Sequence, residues 1–371
     1  MRVVVKIGTS SLTTAEGSID PAAVAKLADE VAALRIDGTD VVIVTSAAIS
    51  AGLPRLGYRD GGRPTDPDLL RAASAIGQIS LIDKYAHALG AHDLVVGQVL
   101  LAPTDFWFRK RYLKSRGTLN ALLDAGAVPV INENDAVADD EIRFGDNDRL
   151  AALVAHLLSA DRLVLLTDTP GLFTADPRVD TSASLIEEIL EFDQHLEAVA
   201  GGPGSSAARG GMASKLAAAK IAAWSGVETT IALASRPGVV GDAVGGAQGV
   251  GTVFRARSGR LGARKLWIAF AVRSVGRLTV DDGARRALID DQRSLQVPGV
   301  RSLSGEFAVD DPVEVADESG RVFAKGLVGW SGTDLARFLR DRTEPDNDGT
   351  RGRSGTRVPV IHRDDLVMLP Q

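Results

Sequence analysis

The sequence predicts an α/β sandwich on a mainly parallel sheet, followed by a small, mainly β, barrel-like domain. Three observations carry that prediction. Over roughly the first 255 residues, short β-rich runs alternate with long Ala- and Leu-rich runs. Several short runs are almost wholly apolar (VVIV, LVLL), as strands covered on both faces are. Beyond Arg255 the pattern changes to short strands separated by turns.

Strands are expected over Arg2–Ile7, Asp40–Thr45, Leu94–Leu100, Val128–Ile131, Arg162–Thr167 and Thr229–Ala234. Helical patterns lie between them, over Pro21–Arg35, Leu69–Leu89, Lys114–Ala125, Asp148–Leu158 and Gly210–Ser225. Asp20 reads as an N-cap, with Pro21 at the first helical position. The boundaries expected are an α/β domain over 1–257, a linker over 258–270 and a β-rich domain over 271–371. Within the last, LWIAFAV, RLTVDD, FAVDDPVEVAD and RVFAKGLV read as strands, with helical patterns around Asp282–Leu288 and Ser331–Leu339. The polar stretch Arg340–Arg357 is expected to be a disordered loop, and VPVIHRDDLVML a last strand.

Composition narrows the class. A chain of 371 residues suggests two domains, and 45% hydrophobic with 24% charged residues gives each a core. The absence of cysteine excludes a disulfide framework, a thiolate metal site and a thiol nucleophile. No apolar run reaches the ~18 residues of a membrane span, and Lys6 breaks the apolar start, so a cytoplasmic protein is expected. Residues 1–259 hold 24 Lys and Arg against 31 Asp and Glu; the remainder hold 18 against 17. An acidic body argues against broad nucleic-acid binding.

Ligands of such sheets bind beyond the carboxyl ends of the strands, and the unusual loops fall there. The first strand ends in Lys6-Ile7-Gly8-Thr9-Ser10, where backbone N–H groups and a cation can meet an anion. The second runs into VTSAAISAG, with Ser46 placed to cap a helix or to hold a ligand. Asn132, Glu133, Asn134 and Asp135 follow the fourth strand, with Asp146, Asn147 and Asp148 close behind. Such acid and amide clusters suit Mg²⁺ or an ammonium group. The five scattered histidines disfavour zinc. Thr167 and Asp168 end the fifth strand. A last Gly-rich loop runs through Arg209, Gly210, Gly211, Met212, Ala213 and Ser214 to Lys215 at a helix start. Neither a Walker A spacing nor GxGxxG is present. Two lysines with Mg²⁺ fit phosphoryl transfer, which needs mainly positioning and charge neutralisation.

The ordered series VVKIGTSSLT, VIVTSAAISAG, GQVLL, VPVINENDAVADDEIRFGDND, LVLLTDTPGLFTADPR and RGGMASK resembles the glutamate 5-kinases of the amino-acid kinase family. The rest, with GRLTVDDGARRAL, GEFAVDDPVEV and VIHRDDLVML, resembles a PUA domain. The resemblance implies an amino-acid-kinase-like α/β/α sandwich and transfer of the ATP γ-phosphate to the side-chain carboxylate of L-glutamate, the first step of proline synthesis. It implies ATP and Mg²⁺ as cofactors, proline as feedback inhibitor, and a homo-oligomer (dimer or tetramer). It places Lys6, Lys215 and Asp148 at the chemistry, and Ser46, Asp135 and Asn147 on glutamate, with Asp135 near the ammonium. It places Lys6, Gly8, Thr9, Thr167, Asp168 and the Arg209–Lys215 loop (Arg209, Gly210, Gly211, Met212, Ala213, Ser214, Lys215) on ATP; the residues that bind the metal stay unassigned. Two departures stand out. Ala47 replaces the family's usual Gly, and Ala208-Arg209 replace Gly-Thr. The rival readings are a sibling kinase with another acceptor (aspartate, N-acetylglutamate, carbamate or UMP), an RNA-binding protein acting through the PUA-like part, and a silent regulator.

Overall fold

A computed structural model describes residues 1–14, 16–58, 63–102, 104–137, 147–175, 177, 180–190, 192, 196, 211–257, 261–271, 274–343 and 358–369. The chain divides into two compact units, Met1–Leu261 and Gly262–Gln371.

The first unit alternates as expected: β1 (Arg2–Ile7), α1 (Thr9–Leu12, a single turn), α2 (Pro21–Ile36), β2 (Asp40–Val44), α3 (Ala48–Gly52), α4 (Pro67–Gly90), β3 (Val96–Leu101), α5 (Thr104–Trp107), α6 (Arg109–Asp124), β4 (Val128–Glu133), α7 (Asn147–Leu158), β5 (Arg162–Thr167), β6 (Glu188–Ile189), α8 (Met212–Trp224), β7 (Glu228–Leu233), α9 (Val239–Gly245) and β8 (Gly251–Phe254). The strands form one eight-stranded sheet in the order β3-β4-β2-β1-β5-β7-β8-β6. Every pairing is parallel except β7 with β8. From β1 the chain steps to β2, crosses to the edge strand β3, comes back to β4 between them, then passes to β5 on the other side of β1. β1 is therefore the switch point, and its carboxyl end is where a crevice opens.

Local chemistry explains the elements. Asp20 caps α2 by accepting from the Ala22 N–H, with Pro21 behind it. Asp66 and Pro67 repeat the device at α4. The central strands are buried on both faces because helices cover both. α2, α4 and α9 share one apolar cluster with Val3, Val5, Val41 and Ile43, while α6, α7 and α8 pack together on the opposite face. α7 is buried along almost its whole length. α6 starts at Arg109 rather than Lys114, because its first turn is basic and carries no apolar period to read. Ser46 does not cap a helix: the N-cap of α3 is Ala47.

The second unit has α10 (Ala263–Leu266), β9 (Gly276–Val280), α11 (Asp282–Ile289), β10 (Val300–Gly305), β11 (Pro312–Ala316), β12 (Val322–Val328), α12 (Gly332–Thr343) and β13 (Ile361–Met368). Its five strands run β10-β9-β11-β12-β13, with only β9 and β11 parallel. Phe307, Phe323, Val313, Val315 and Leu335 sit in its core. One expected strand is absent: LWIAFAV continues α10 into a π-helical turn over Trp267–Ala271. A continuous apolar run does not tell a buried helix from a strand. α12 extends to Thr343, beyond the expected start of the polar loop, and residues 344–357 lie outside the described ones.

α3 and α4 meet backbone to backbone. A Cβ on Gly52 would stand 1.8 Å from the Ala73 carbonyl oxygen, and one on Gly77 would stand 1.8 Å from that of Ala48. Neither backbone atom can yield as a flexible side chain would. Gly77→Ala is therefore expected to cost about 3 kcal/mol. Gly90→Ala, with no atom within 4 Å of the added methyl, should be neutral or slightly stabilising. Urea unfolding of the two variants checks the contrast.

Candidate active site

Three residues far apart in sequence meet at the carboxyl end of β1. Lys6 leaves β1, Asp148 lies in the first turn of α7, and Lys215 lies in the first turn of α8. Lys6 Nζ stands 2.5 Å from Asp148 Oδ1, and Lys215 Nζ 3.0 Å from Oδ2. All three are nearly sealed from solvent, at 4%, 1% and 6% exposure. The packing of α7 on β1 and of α8 on α7 brings them together. One carboxylate bridges two ammonium groups, so the cluster keeps one net positive charge. Burying ions is costly unless they are paired and hydrogen-bonded. An uncompensated buried cation attracts an anion.

Glycine borders each lysine. A Cβ on Gly8 would lie 3.5 Å from Lys6 Nζ, and one on Gly211 would lie 3.8 Å from Lys215 Nζ. Gly211 caps α8 at φ 88°, a conformation that side chains rarely adopt. Met212, Ala213 and Ser214 form the first turn of α8, whose free N–H groups and dipole favour an anion. Thr9 opens the single turn α1 beside Gly8. Arg209 and Gly210 lie outside the described residues.

A cavity of about 440 Å³ opens at the ends of β1, β5 and β7, lined by Ser10, Ser11, Lys26, Thr167, Asp168 and Ser235 among others. Thr167 donates its hydroxyl to Asp168 at 3.1 Å. Ser11 Oγ in this cavity and Ser214 Oγ on α8 are buried without a hydrogen-bond partner among the described residues. Those hydroxyls, with the two lysines, are donors suited to phosphate oxygens. Among the described residues no three His, Asp or Glu side chains gather as a metal cage.

A second cluster adjoins the first because β4 lies beside β2, and Asn147 precedes Asp148. The Asn147 amide nitrogen contacts the Thr45 carbonyl at 2.5 Å, Asn132 Oδ1 at 2.7 Å and Ser46 Oγ at 3.1 Å. Behind them, the fully buried Tyr85 hydroxyl meets Thr45 Oγ1 at 2.9 Å. Asp135 accepts a hydrogen bond from the Ser74 hydroxyl of α4. Asn132 belongs to the acid and amide cluster already singled out, whereas Thr45, Ser74 and Tyr85 belong to this framework and were not among the expected site residues. Ser74 and Tyr85 carry no local signal, because each sits inside an ordinary helical pattern.

Ala47 is a non-glycine residue at φ 76° immediately after Ser46, in the left-handed region, which costs an L-residue ~1–2 kcal/mol. Its methyl is buried in the cluster under α4. Ala47→Gly relieves the backbone but removes that packing and loosens the unfolded chain. Its stability should therefore stay within about 1 kcal/mol of the parent, whereas the β-branched Ala47→Val should lose about 2 kcal/mol or more. Thermal unfolding of both variants checks this.

Burial pushes the Tyr85 phenol above its ordinary range, against a smaller opposing effect of the Thr45 hydrogen bond. The folded state then holds this proton where the unfolded chain releases it. The stability this group contributes is complete below the unfolded value of ~10 and falls as pH rises past it. The Tyr85→Phe variant should lose less stability than the parent between pH ~8 and pH ~10.5, read as the shift of the urea midpoint.

Comparison with known proteins identifies the family. The amino acid kinase family matches residues 1–233 and the PUA domain matches residues 276–344. The glutamate 5-kinase of Azoarcus sp. (strain BH72) is 45% identical over 368 residues, covering 99% of this chain and 97% of its own. The glutamate 5-kinases of Herminiimonas arsenicoxydans and Janthinobacterium sp. (strain Marseille) are each 42% identical over 369 residues, covering 99% of this chain and 98% of theirs. The chain belongs to the amino acid kinase family, among its glutamate 5-kinases, and carries a PUA domain.

Proposed function

We propose that this chain transfers the γ-phosphoryl group of MgATP to the side-chain carboxylate of L-glutamate, giving L-glutamyl 5-phosphate, the first step of proline synthesis in the cytoplasm. The observation that carries this is the buried Lys6–Asp148–Lys215 bridge at the switch point of the sheet.

The chemistry follows from charge. A free glutamate side chain has pKa ~4.3, so the nucleophile is already ionised near neutral pH and needs no general base. The obstacle is to bring two anions together and stabilise the phosphoryl group in flight. Lys6 and Lys215 supply cations on opposite sides of one carboxylate, and Asp148 fixes their spacing. Because Asp148 neutralises only half of their charge, the pair still attracts the phosphates and matches charge that spreads over the moving group. Gly8, Thr9 and the α8 amides of Gly211, Met212, Ala213 and Ser214 line the phosphate side. Thr167 and Asp168 border the nucleoside cavity. Arg209 and Gly210 remain assigned to ATP through their position in the same loop. Mg²⁺ would be held chiefly by the nucleotide's own phosphate oxygens, and when bound it neutralises phosphate charge.

On the acceptor side, Ser46 and Asn147 would hold glutamate beside the lysines, and Asp135 would face its ammonium group. Proline as feedback inhibitor and a dimer or tetramer are parts of the same proposal. The RNA reading is weakened by pairing in the second unit: Arg277 meets Glu314, Arg301 meets Asp281 and Glu318, and Arg264 meets Asp365. These pairs offset part of the positive charge that a phosphate backbone would meet.

Trapping the acyl phosphate with hydroxylamine tests the proposal. Glutamate with ATP and Mg²⁺ should give hydroxamate, and Lys215→Ala should lower kcat at least ~100-fold, the scale of losing one positioned charge donor. Aspartate and N-acetylglutamate run alongside, and UMP is followed by ADP release. Good turnover on one of those with none on glutamate would overturn the acceptor assignment and leave the phosphoryl-transfer geometry standing.

A further inference from the structure

We propose that Ser74 is a positioning residue for the amino-acid acceptor, acting through Asp135. This rests on the reading of Asp135 as the partner of the acceptor's ammonium group.

Ser74 is 2% exposed, inside α4, and its hydroxyl donates to Asp135 Oδ2 at 2.5 Å across 61 residues of sequence. The serine itself cannot drift. Its neighbour Ala73 presses its carbonyl against Gly52 of α3, and Gly77, one turn on, lies against the Ala48 carbonyl. α3 and the start of α4 therefore form one rigid block. That block begins directly after Ser46, at the other acceptor-side group, so a single hydrogen bond ties Asp135 to the body that carries Ser46.

The type of partner matters as much as the place. A Lys or Arg at this position would cancel the Asp135 charge. A hydroxyl orients the carboxylate, leaves its full negative charge, and occupies only one of its two oxygens. Oδ1 then remains to receive a cation. A bond to an ionised group is among the stronger kinds, so its loss should be readable in acceptor binding.

The test is a double-mutant cycle in the full-length enzyme, with KM for glutamate, KM for ATP and kcat measured by hydroxamate formation and ADP release. Ser74→Ala should raise KM for glutamate about 5- to 30-fold, with kcat and KM for ATP within about twofold. Asp135→Asn should raise KM for glutamate further. In the Asp135→Asn background the Ser74→Ala effect should shrink to less than about twofold, because the serine has no charge left to orient. Purely structural damage would persist unchanged there, or would raise both KM values together, and either result overturns the role of Ser74. If Asp135→Asn raises KM for glutamate but Ser74→Ala does not, the proposal fails and the Asp135 reading survives. If Asp135→Asn leaves KM for glutamate unchanged, that reading fails and the proposal with it. Should Ser74→Ala fold poorly, Ser74→Cys keeps the volume with a weak donor and gives the same comparison.

Discussion

One carboxylate, Asp148, lies between two lysines, and all three are almost wholly removed from water. Much of the first unit can be understood from that constraint. Two ammonium groups placed side by side in a protein interior repel, and each loses its hydration. A single carboxylate between them offsets both costs while leaving one charge over. The arrangement needs three backbone positions held within a few tenths of an ångström. β1 provides one at the centre of the sheet, the buried α7 a second, and α8, packed on α7, the third. Loops alone would not hold so costly a cluster. Secondary structure that is itself buried does.

The first turn of α7 also joins the two halves of the site. Asp148 faces the lysines, while the preceding residue, Asn147, reaches Thr45, Ser46 and Asn132. Consecutive side chains on a helix point about 100° apart, so two neighbours can serve two adjoining clusters. Movement of α7 would disturb both together. The Asn147 cluster is anchored again from beneath, by Tyr85 on Thr45 and by the glycine contacts of α3 with α4. The left-handed Ala47 sits at the join, where packing on both sides fixes a conformation the residue does not prefer.

Much of this was legible in the sequence. The six expected strands of the first unit all occur, within two residues at each end, because double-sided burial leaves an apolar signature. The loops at their carboxyl ends mark Lys6, Ser46, Lys215 and the two acid and amide clusters by residue type and chain position, and the family resemblance picks Asp135 and Asp148 out of those clusters. The resemblance implies that Asp148 organises the two lysines, but residue type and spacing alone do not reveal that pairing. Asp148 lies 67 residues from Lys215 and joins it only through helix packing. Ser74 is hidden for a related reason: a serine among alanines in a helix looks like a tolerated surface residue until Asp135 is seen opposite. Short elements such as β6, with two residues, are fixed by tertiary pairing and leave no period to detect. LWIAFAV failed for the opposite reason, being apolar enough to suit either a strand or a buried helix.

The acidic charge of the α/β region and the cationic character of its site are compatible because they act at different ranges. Net charge describes the far field, and at physiological ionic strength that field is screened over ~8 Å. The lysines act at 3 Å or less on Asp148, where burial keeps water from screening them. A polyanion needs a broad basic face and would meet a surface that repels it. The proposed phosphate site needs only the two buried ammonium groups and the N–H groups of one helix start. The same distribution of charge thus disfavours an extended nucleic acid on this region and favours a nucleotide at one place in it.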